Sequence, residues 1–387
     1  MSLSAKKSLY HRLQVLVFAG LVLVVSAAQT VAQSTSNLQI TRAALLRYNR
    51  VEGLFVGYSL HVQRTGRNAI AGRASGGYGI HNQERQWDFS LEVDKPKWSA
   101  NAGVFDRMAS PNKSIIRTAE NTVFAFLFKG DYLDYFRMKN GFEVDLRLKP
   151  RRHVNVIGYL SAFQYRNMPV TANWTVFKNS QNFRLNPVIR EGDAAVFKMG
   201  IVYNNRRKSP IFRKTTLVSA VFERGFREFP FNGIALSFKR YQKTNFGRQA
   251  FVARAFLGSR ESIDEQHQFD IGGVGTLRGH RIKEYSGNRT LQFNVDYLFR
   301  GDIISKMSSR LGQYVELIAF ADAGWVGQAA KQDALLDGFG SIRADDFKTN
   351  IGGAISMYRQ LIRINVARRF DNDIDDWTVS ARFRREF

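Results

Sequence analysis

Leu291-Gln292-Phe293-Asn294-Val295-Asp296-Tyr297-Leu298-Phe299 alternates with a period of two. Leu291, Phe293, Val295, Tyr297 and Phe299 fall on one face; Gln292, Asn294 and Asp296 fall on the other. A pleated strand sends successive side chains to opposite sides, so this pattern predicts a strand with one apolar face. A soluble sandwich strand alternates in the same way. What separates the two readings is the repetition of wide strands along the whole chain.

Working outward, the same pattern recurs. Val315, Leu317, Ala319, Ala321, Ala323 and Trp325 oppose Tyr314, Glu316, Asp322 and Gly324. Trp87, Phe89, Leu91 and Val93 alternate with Asp88, Ser90 and Glu92. Ile234, Leu236 and Phe238 alternate with Ala235, Ser237 and Lys239, and Ile362, Ile364 and Val366 with Arg363 and Asn365. A row of buried Arg, Lys, Asp and Glu is costly in a dry core. Apolar residues facing lipid and polar residues facing a watery lumen satisfy every segment.

Strands are predicted over 53–64, 69–81, 85–94, 97–107, 141–149, 153–165, 193–205, 214–225, 232–242, 248–259, 289–300, 313–326, 348–358, 361–370 and 376–387. An even number is expected when both ends of a barrel lie on one side of the membrane. The missing strand is placed at Asn121 to Lys129, where Val123-Phe124-Ala125-Phe126-Leu127-Phe128 is apolar on both faces; a buried helix is the rival. The expected fold is all-β: a closed antiparallel transmembrane barrel of sixteen strands, with twelve or fourteen as the alternative counts.

The N-terminus reads as a signal peptide over residues 1–32. Lys6, Lys7 and Arg12 precede an apolar run from Leu13 to Ala28, and Thr30-Val31-Ala32 precede Gln33 as a cleavage site. An uncleaved anchor is the alternative. The absence of cysteine removes disulfides, thiolate metal sites and lipid attachment through an N-terminal cysteine. Residues 33–51 are expected to be a short periplasmic lead-in and 52–387 a single barrel domain. Phe is frequent (31) and Pro scarce (7), as suits strands with one lipid face. The net charge of +24, or +21 without the three basic signal residues, would suggest nucleic acid in a cytosolic protein. Export argues against nucleic acid, and no nucleic-acid partner is expected. Basic side chains facing a lumen or anionic headgroups account for the charge.

Residues Phe269 to Gly287 read FDIGGVGTLRGHRIKEYSG. A phosphate-binding loop is excluded by context, since no strand–helix unit follows. A plain surface loop is the bland alternative. Gly272, Gly273, Gly275 and Gly279 would let the backbone turn sharply and approach a wall closely. Arg278 offers a planar fork of donors that stays charged. Asp322 falls on the polar face of its strand, where a carboxylate can hold that fork by charge-assisted bonds. Asp296 is a second candidate partner.

Leu277-Arg278-Gly279-His280 resembles the Val/Ile-Arg-Gly-Phe/Tyr signature of the BamA-like superfamily of assembly, translocation and two-partner secretion barrels. Phe320-Ala321-Asp322-Ala323-Gly324 is similar to the superfamily's Phe/Gly-x-Asp-x-Gly motif and lies, as there, two strands later. His280 stands where the family carries an aromatic. Arg47-Tyr48-Asn49-Arg50-Val51-Glu52-Gly53-Leu54 resembles the entry to the first strand of relatives. The terminal Phe387, on one face with Phe383, Ala381, Val379 and Trp377, resembles the signal by which barrels are recognised for assembly; Arg385 interrupts that face.

The resemblance implies a sixteen-stranded barrel whose long extracellular loop folds into the lumen, with no room before Glu52 for the family's POTRA domains. It implies a role in inserting, assembling or translocating outer-membrane components through a weak seam between first and last strands, near Glu52–Gln63 and Trp377–Phe387. The implied partners are outer-membrane lipid and lipopolysaccharide, unfolded outer-membrane protein clients and periplasmic proteins. The rival functions are a structural barrel working with separate periplasmic partners, and a passive pore. In such a pore, inward Lys198, Lys239, Arg254, Arg363 and Arg369 would favour anions. No enzyme, cofactor or metal is expected. The six His are scattered and no Gly-x-Ser-x-Gly elbow occurs. Glu261, Asp264 and Glu265 read as a solvated turn, with a divalent cation as the alternative.

Overall fold

The computed structural model describes residues 31–35, 38–64, 66, 69–177, 180, 182–205, 214–245, 247, 249–299, 304–308, 312, 314–330, 333–357, 361–370 and 377–383. The expected signal peptide up to residue 30 and the terminal Phe387 lie outside them.

The strands in chain order are β1 (Val31–Thr35), β2 (Leu38–Asn49), β3 (Gly53–Arg64), β4 (Ala69–Gly79), β5 (Glu84–Asp94) and β6 (Trp98–Ala109). After helix α1 (Thr118–Phe128) come β7 (Phe136–Arg151), β8 (Val154–Asn167), β9 (Gly192–Asn204), β10 (Lys214–Arg227), β11 (Phe231–Lys243) and β12 (Ala250–Arg260). A short hairpin, β13 (Phe269–Ile271) and β14 (Tyr285–Gly287), precedes β15 (Arg289–Leu298), β16 (Val315–Gly327), β17 (Lys348–Met357), β18 (Ile362–Arg369) and β19 (Trp377–Arg382). Apart from β1 and the β13–β14 hairpin, these form one antiparallel sheet of sixteen strands. Among the described residues no helix is long and apolar enough to cross a membrane.

Each of the fifteen segments read as strands contains a strand, with ends that differ by a few residues where they are described; residues 376 and 384–387 of the last segment lie outside the described residues. The sixteenth is not Asn121–Lys129 but β2, which pairs with β3 from Leu38↔Arg64 to Asn49↔Gly53. Residues 33–51 are therefore no lead-in, and the stretch once placed at the seam, Glu52 to Gln63, is an interior strand with β2 on one side and β4 on the other. Alternation is blurred in β2 because Ala43-Ala44-Leu45-Leu46 is apolar on both faces.

Residues 121–128 belong to α1 instead. A strand with two apolar faces would set half its side chains against the polar face of the sheet. The helix buries Ala125 and Leu127. It stops where Lys129 turns left-handed (φ +59°) and Gly130 N–H reaches the Phe124 carbonyl at 3.1 Å.

The chain divides into two compact units, residues 1–142 with 166–188 and residues 143–165 with 189–387. In the first, Leu54, Val56, Tyr58, Trp87, Phe89 and Leu91 are exposed while Phe55 and Gln86 between them are buried. In the second, Met199, Ile201, Phe293, Val295, Ile351, Ile355 and Ile364 are exposed while Asn294, Asp296, Asn350 and Asn365 are buried. Apolar outside and polar inside inverts the soluble arrangement. Each exposed Leu or Phe forgoes about 1.5–3 kcal/mol of burial in water, a loss that a hydrocarbon solvent removes. Trp325, expected in the outward row, is nearly buried beneath Phe339 at 5.6 Å between ring centroids.

Candidate functional site

The connection from β12 to β15 turns back on the inner face of its own unit. β13 and β14 pair Phe269↔Gly287 and Ile271↔Tyr285, and the chain between them makes a tight knot. Gly272, Gly273 and Gly275 hold φ of +119°, +79° and +94°, values that side chains resist. A Cβ on Gly272 would also lie 2.3 Å from the Arg281 carbonyl oxygen. Gly273 N–H donates to the Leu277 carbonyl at 2.8 Å, and Gly272 N–H to Thr276 Oγ1 at 2.9 Å. This knot presents Leu277, Arg278 and Gly279 to β15–β19.

Arg278 is 3% exposed and its donors meet carboxylates. Nε and Nη2 reach Asp322 Oδ2 and Oδ1 at 2.9 and 2.5 Å, a bidentate pair, and its backbone N–H adds a third bond to Oδ2 at 3.1 Å. Nη1 reaches Asp296 Oδ1 at 2.6 Å. The guanidinium lies 3.8 Å from the centroid of the Phe320 ring. Gly324 leaves room for the loop: a Cβ there would stand 3.0 Å from Ile271 and 3.2 Å from Leu277. The strand motif thus contributes a ring to stack on, a carboxylate to bind and a space to fill, two residues apart because β16 turns alternate residues inward. Gly279 packs so closely that a Cβ would meet Asn350 Cβ at 2.7 Å, and its carbonyl accepts the Thr378 hydroxyl at 3.0 Å.

Several partners escaped the sequence reading. Asn294 and Asn350, directly across β15–β16–β17 from Asp322, each donate to it at 2.8 Å. Arg254 and Arg363 join Arg278 at Asp296, at 2.5 and 3.3 Å. Arg369 fastens the loop base through Glu284 at 2.9 Å and the Tyr285 hydroxyl at 2.9 Å. Burial works to raise the Glu284 carboxyl, but the Arg281 N–H and Arg369 outweigh it and hold it below the usual carboxylate range. All of these residues lie at inward positions of their strands or at the loop base; that position is the only signal the sequence offers. Beyond Phe320 the same inner face turns apolar, with Val252, Leu298, Ile318, Ala354 and Ala367 in one buried cluster.

Four of the five cations read as inward lie beside carboxylates. Besides Arg254, Arg363 and Arg369, Lys198 pairs with Glu223 at 3.0 Å. The acidic turn is also occupied: Glu261 accepts the Asn232 side chain at 2.8 Å, and Asp264 the Ser262 hydroxyl at 3.2 Å. Among the described residues no His, Cys, Asp and Glu cluster suits a metal ion. Phe383 follows β19 and is 38% exposed.

The other unit holds a second buried network where Arg47–Leu54 was read as the entry to the first strand. Those residues are the end of β2, a turn and the start of β3. Asn49 Oδ1 closes the turn by accepting the N–H groups of Val51 and Glu52 at 2.9 and 2.8 Å. Arg50, fully buried, bonds Asp134 and Asn186 side chains at 3.1 and 3.0 Å and the Leu133 carbonyl at 2.7 Å.

No family model matches the sequence, and no curated protein does. Solved structures do match in fold. BamA from Haemophilus ducreyi, lacking POTRA domains 1–3, superposes with a TM-score of 0.56 at 12% identity, covering 92% of this chain and 74% of that one. CdiB from Escherichia coli gives 0.49 at 12% identity, over 91% of this chain and 63% of that one. CdiB from Acinetobacter baumannii gives 0.47 at 11% identity, over 90% and 60%. The chain thus spans about three fifths of the CdiB chains. The likeness to BamA fixes the fold as that of its transmembrane barrel.

Proposed function

We propose that this chain is an outer-membrane barrel that inserts, assembles or translocates other outer-membrane components, with the β12–β15 loop held in its lumen while a seam at the edges of the first and last strands works. The observation that carries the reading is the Arg278 cluster: four hydrogen bonds from one loop residue to two carboxylates, with its guanidinium over an aromatic ring, in a buried setting. A passive porin has no use for a loop anchored across its own path. The cations that would select anions in such a pore are engaged instead: Lys198 and Arg369 each lie on a carboxylate, and Arg254 and Arg363 share Asp296 with Arg278. The role is non-enzymatic. The exposed apolar rows support residence in a bilayer, and the BamA-like fold supports the outer membrane. The clients are unfolded outer-membrane proteins, reached with periplasmic partners.

The test is the outer-membrane proteome of cells depleted of this protein. The reading expects selective loss of other barrel or surface proteins before growth fails. An unchanged proteome, with altered solute uptake instead, contradicts it.

A further inference from the structure

Tyr48 lies on the outward face of the first unit yet is buried. It stands opposite Leu54 in the β2–β3 pairing, as Leu46 stands opposite Val56, and residues directly opposite share a face. Leu46, Leu54 and Val56 are exposed in the outward row, Leu54 at 38%, whereas Tyr48 is 5% exposed. The elements that cover Tyr48 therefore stand outside the sheet.

The cover is α1 with the segment that follows β8. Phe126 meets the Tyr48 ring edge-on at 5.3 Å, the Tyr48 hydroxyl donates to the Trp174 carbonyl at 2.5 Å, and Ala125, Ala172 and Phe183 belong to the same apolar cluster. The last carbonyls of a helix have no partner within it. The segment supplies donors for two of them: Val176 N–H reaches the Phe126 carbonyl and Phe177 N–H the Leu127 carbonyl, both at 3.0 Å. Thr122 Oγ1 accepts the Tyr48 N–H at 3.3 Å, and Asn121 Nδ2 donates to Asp131 Oδ1 at 2.8 Å. The two pieces are thus fastened to each other and to the end of β2.

Their outer side is aromatic. Phe128 and Phe177 stack at 5.4 Å between centroids with 24° between planes, Trp174 meets Phe126 at 5.2 Å, and Phe128, Trp174 and Phe177 are all exposed. One margin is polar: Lys129 Nζ donates to Asn173 Oδ1 at 3.2 Å, and Asn173 Nδ2 to Asn182 Oδ1 at 2.6 Å. Exposed rings gathered on one small element are a liability in water. At a membrane surface they have a place, because aromatic rings and a lysine stem bridge acyl chains and headgroups. The patch starts on the Tyr48 ring and so continues the outward rows of β2 and β3. That continuity names its occupant, the lipid that also covers Leu46 and Val56.

We propose that the end of α1 and residues 172–177 form an interfacial anchor, with Phe128, Trp174 and Phe177 seated between the headgroups and acyl chains of the bilayer and Lys129 facing anionic headgroups. The anchor is built off the strands and is independent of what the barrel handles.

The chain has no cysteine, so single spin labels can be attached through Phe128→Cys, Trp174→Cys and Phe177→Cys, each in the full-length protein. The labels are measured in vesicles of phosphatidylethanolamine and phosphatidylglycerol as the ratio of accessibility to oxygen over accessibility to a water-soluble nickel chelate. Val56→Cys gives the lipid reference, and Gln83→Cys, in the exposed β4–β5 turn, the water reference. At two or more of the three positions the ratio should exceed that of Gln83 at least threefold and stay below that of Val56. Lys129→Glu should lower the ratio at Phe177 at least twofold and leave Val56 unchanged. Fewer than two positions above that mark overturns the anchor. Labels shielded from both reagents would place protein on the patch, a second copy included, and overturn it equally. A Val56 ratio as low as that of Gln83 would remove the lipid face and the anchor with it, and a ratio unmoved by Lys129→Glu overturns the headgroup contact.

Discussion

Arg278 uses one backbone and three side-chain donors on two carboxylates, and that concentration makes it the residue whose loss matters most. Arg278→Ala leaves Asp322 buried with two side-chain amides and a backbone N–H but no cation, so it should destabilise the fold by about 3–5 kcal/mol, read as a lower urea midpoint. Arg278→Lys should recover little, because one ammonium cannot span both carboxylates in the plane of a fork. A midpoint unchanged in Arg278→Ala would mean the cluster contributes nothing. A second residue carries a pH signature. Burial pushes the His267 imidazole down from its ordinary 6.5 to about 3; Arg260 acts in the same sense, and Glu223 opposes it. His267 is therefore neutral in the fold, and the unfolded chain takes up its proton first. The contribution is intact above about pH 6.5 and lost as the pH falls toward 3, about 2 kcal/mol by pH 5 at 1.36 kcal/mol per unit. The drop in urea midpoint between pH 7.5 and 5 should shrink in His267→Gln. An equal drop in both proteins would refute the assignment. Arg278 and Asp322 were legible because spacing and alternation both pointed to them. Asn350 and Arg363 were not: inward polar residues are common, and only the strand register decides which ones meet the loop.

At the scale of elements, alternation carried most of the information, and its two failures share a cause. Where a segment is apolar on both sides, period two vanishes and length or context must decide. Ala43-Ala44-Leu45-Leu46 hid a strand, and Val123 to Phe128 imitated one. Elsewhere, Trp325 apart, alternation set the faces as well as the strands. Spin labels at Phe293 and Ile364 should be reached by lipid-dissolved oxygen in proteoliposomes, and labels at Glu316 and Asn365 should not. The reverse pattern would mean a one-residue slip, which exchanges the faces of a strand. Gly279 tests the fit between loop and sheet. Gly279→Ala places a methyl 2.7 Å from Asn350 Cβ, so the loop must lift, and protease should cleave between Gly272 and Lys283 faster than in the parent. Equal cleavage would show that the close approach is dispensable.

For the whole molecule, the proposed function turns on whether the lumen of a sixteen-stranded barrel is open or filled. A barrel of that size is wide enough for an aqueous channel unless something fills it. We propose that the loop from Gln266 to Ser286 fills it, fastened by a charged cluster that would lose most of its strength in water. A barrel that handles proteins has to stay sealed while its strand edges work; a solute pore does not. Single-channel current across a planar bilayer decides between them. The intact protein should show low, intermittent conductance, rising to large steady steps when residues 266–286 are deleted. Large, stable, anion-selective channels in the intact protein, unchanged by that deletion, would contradict the account.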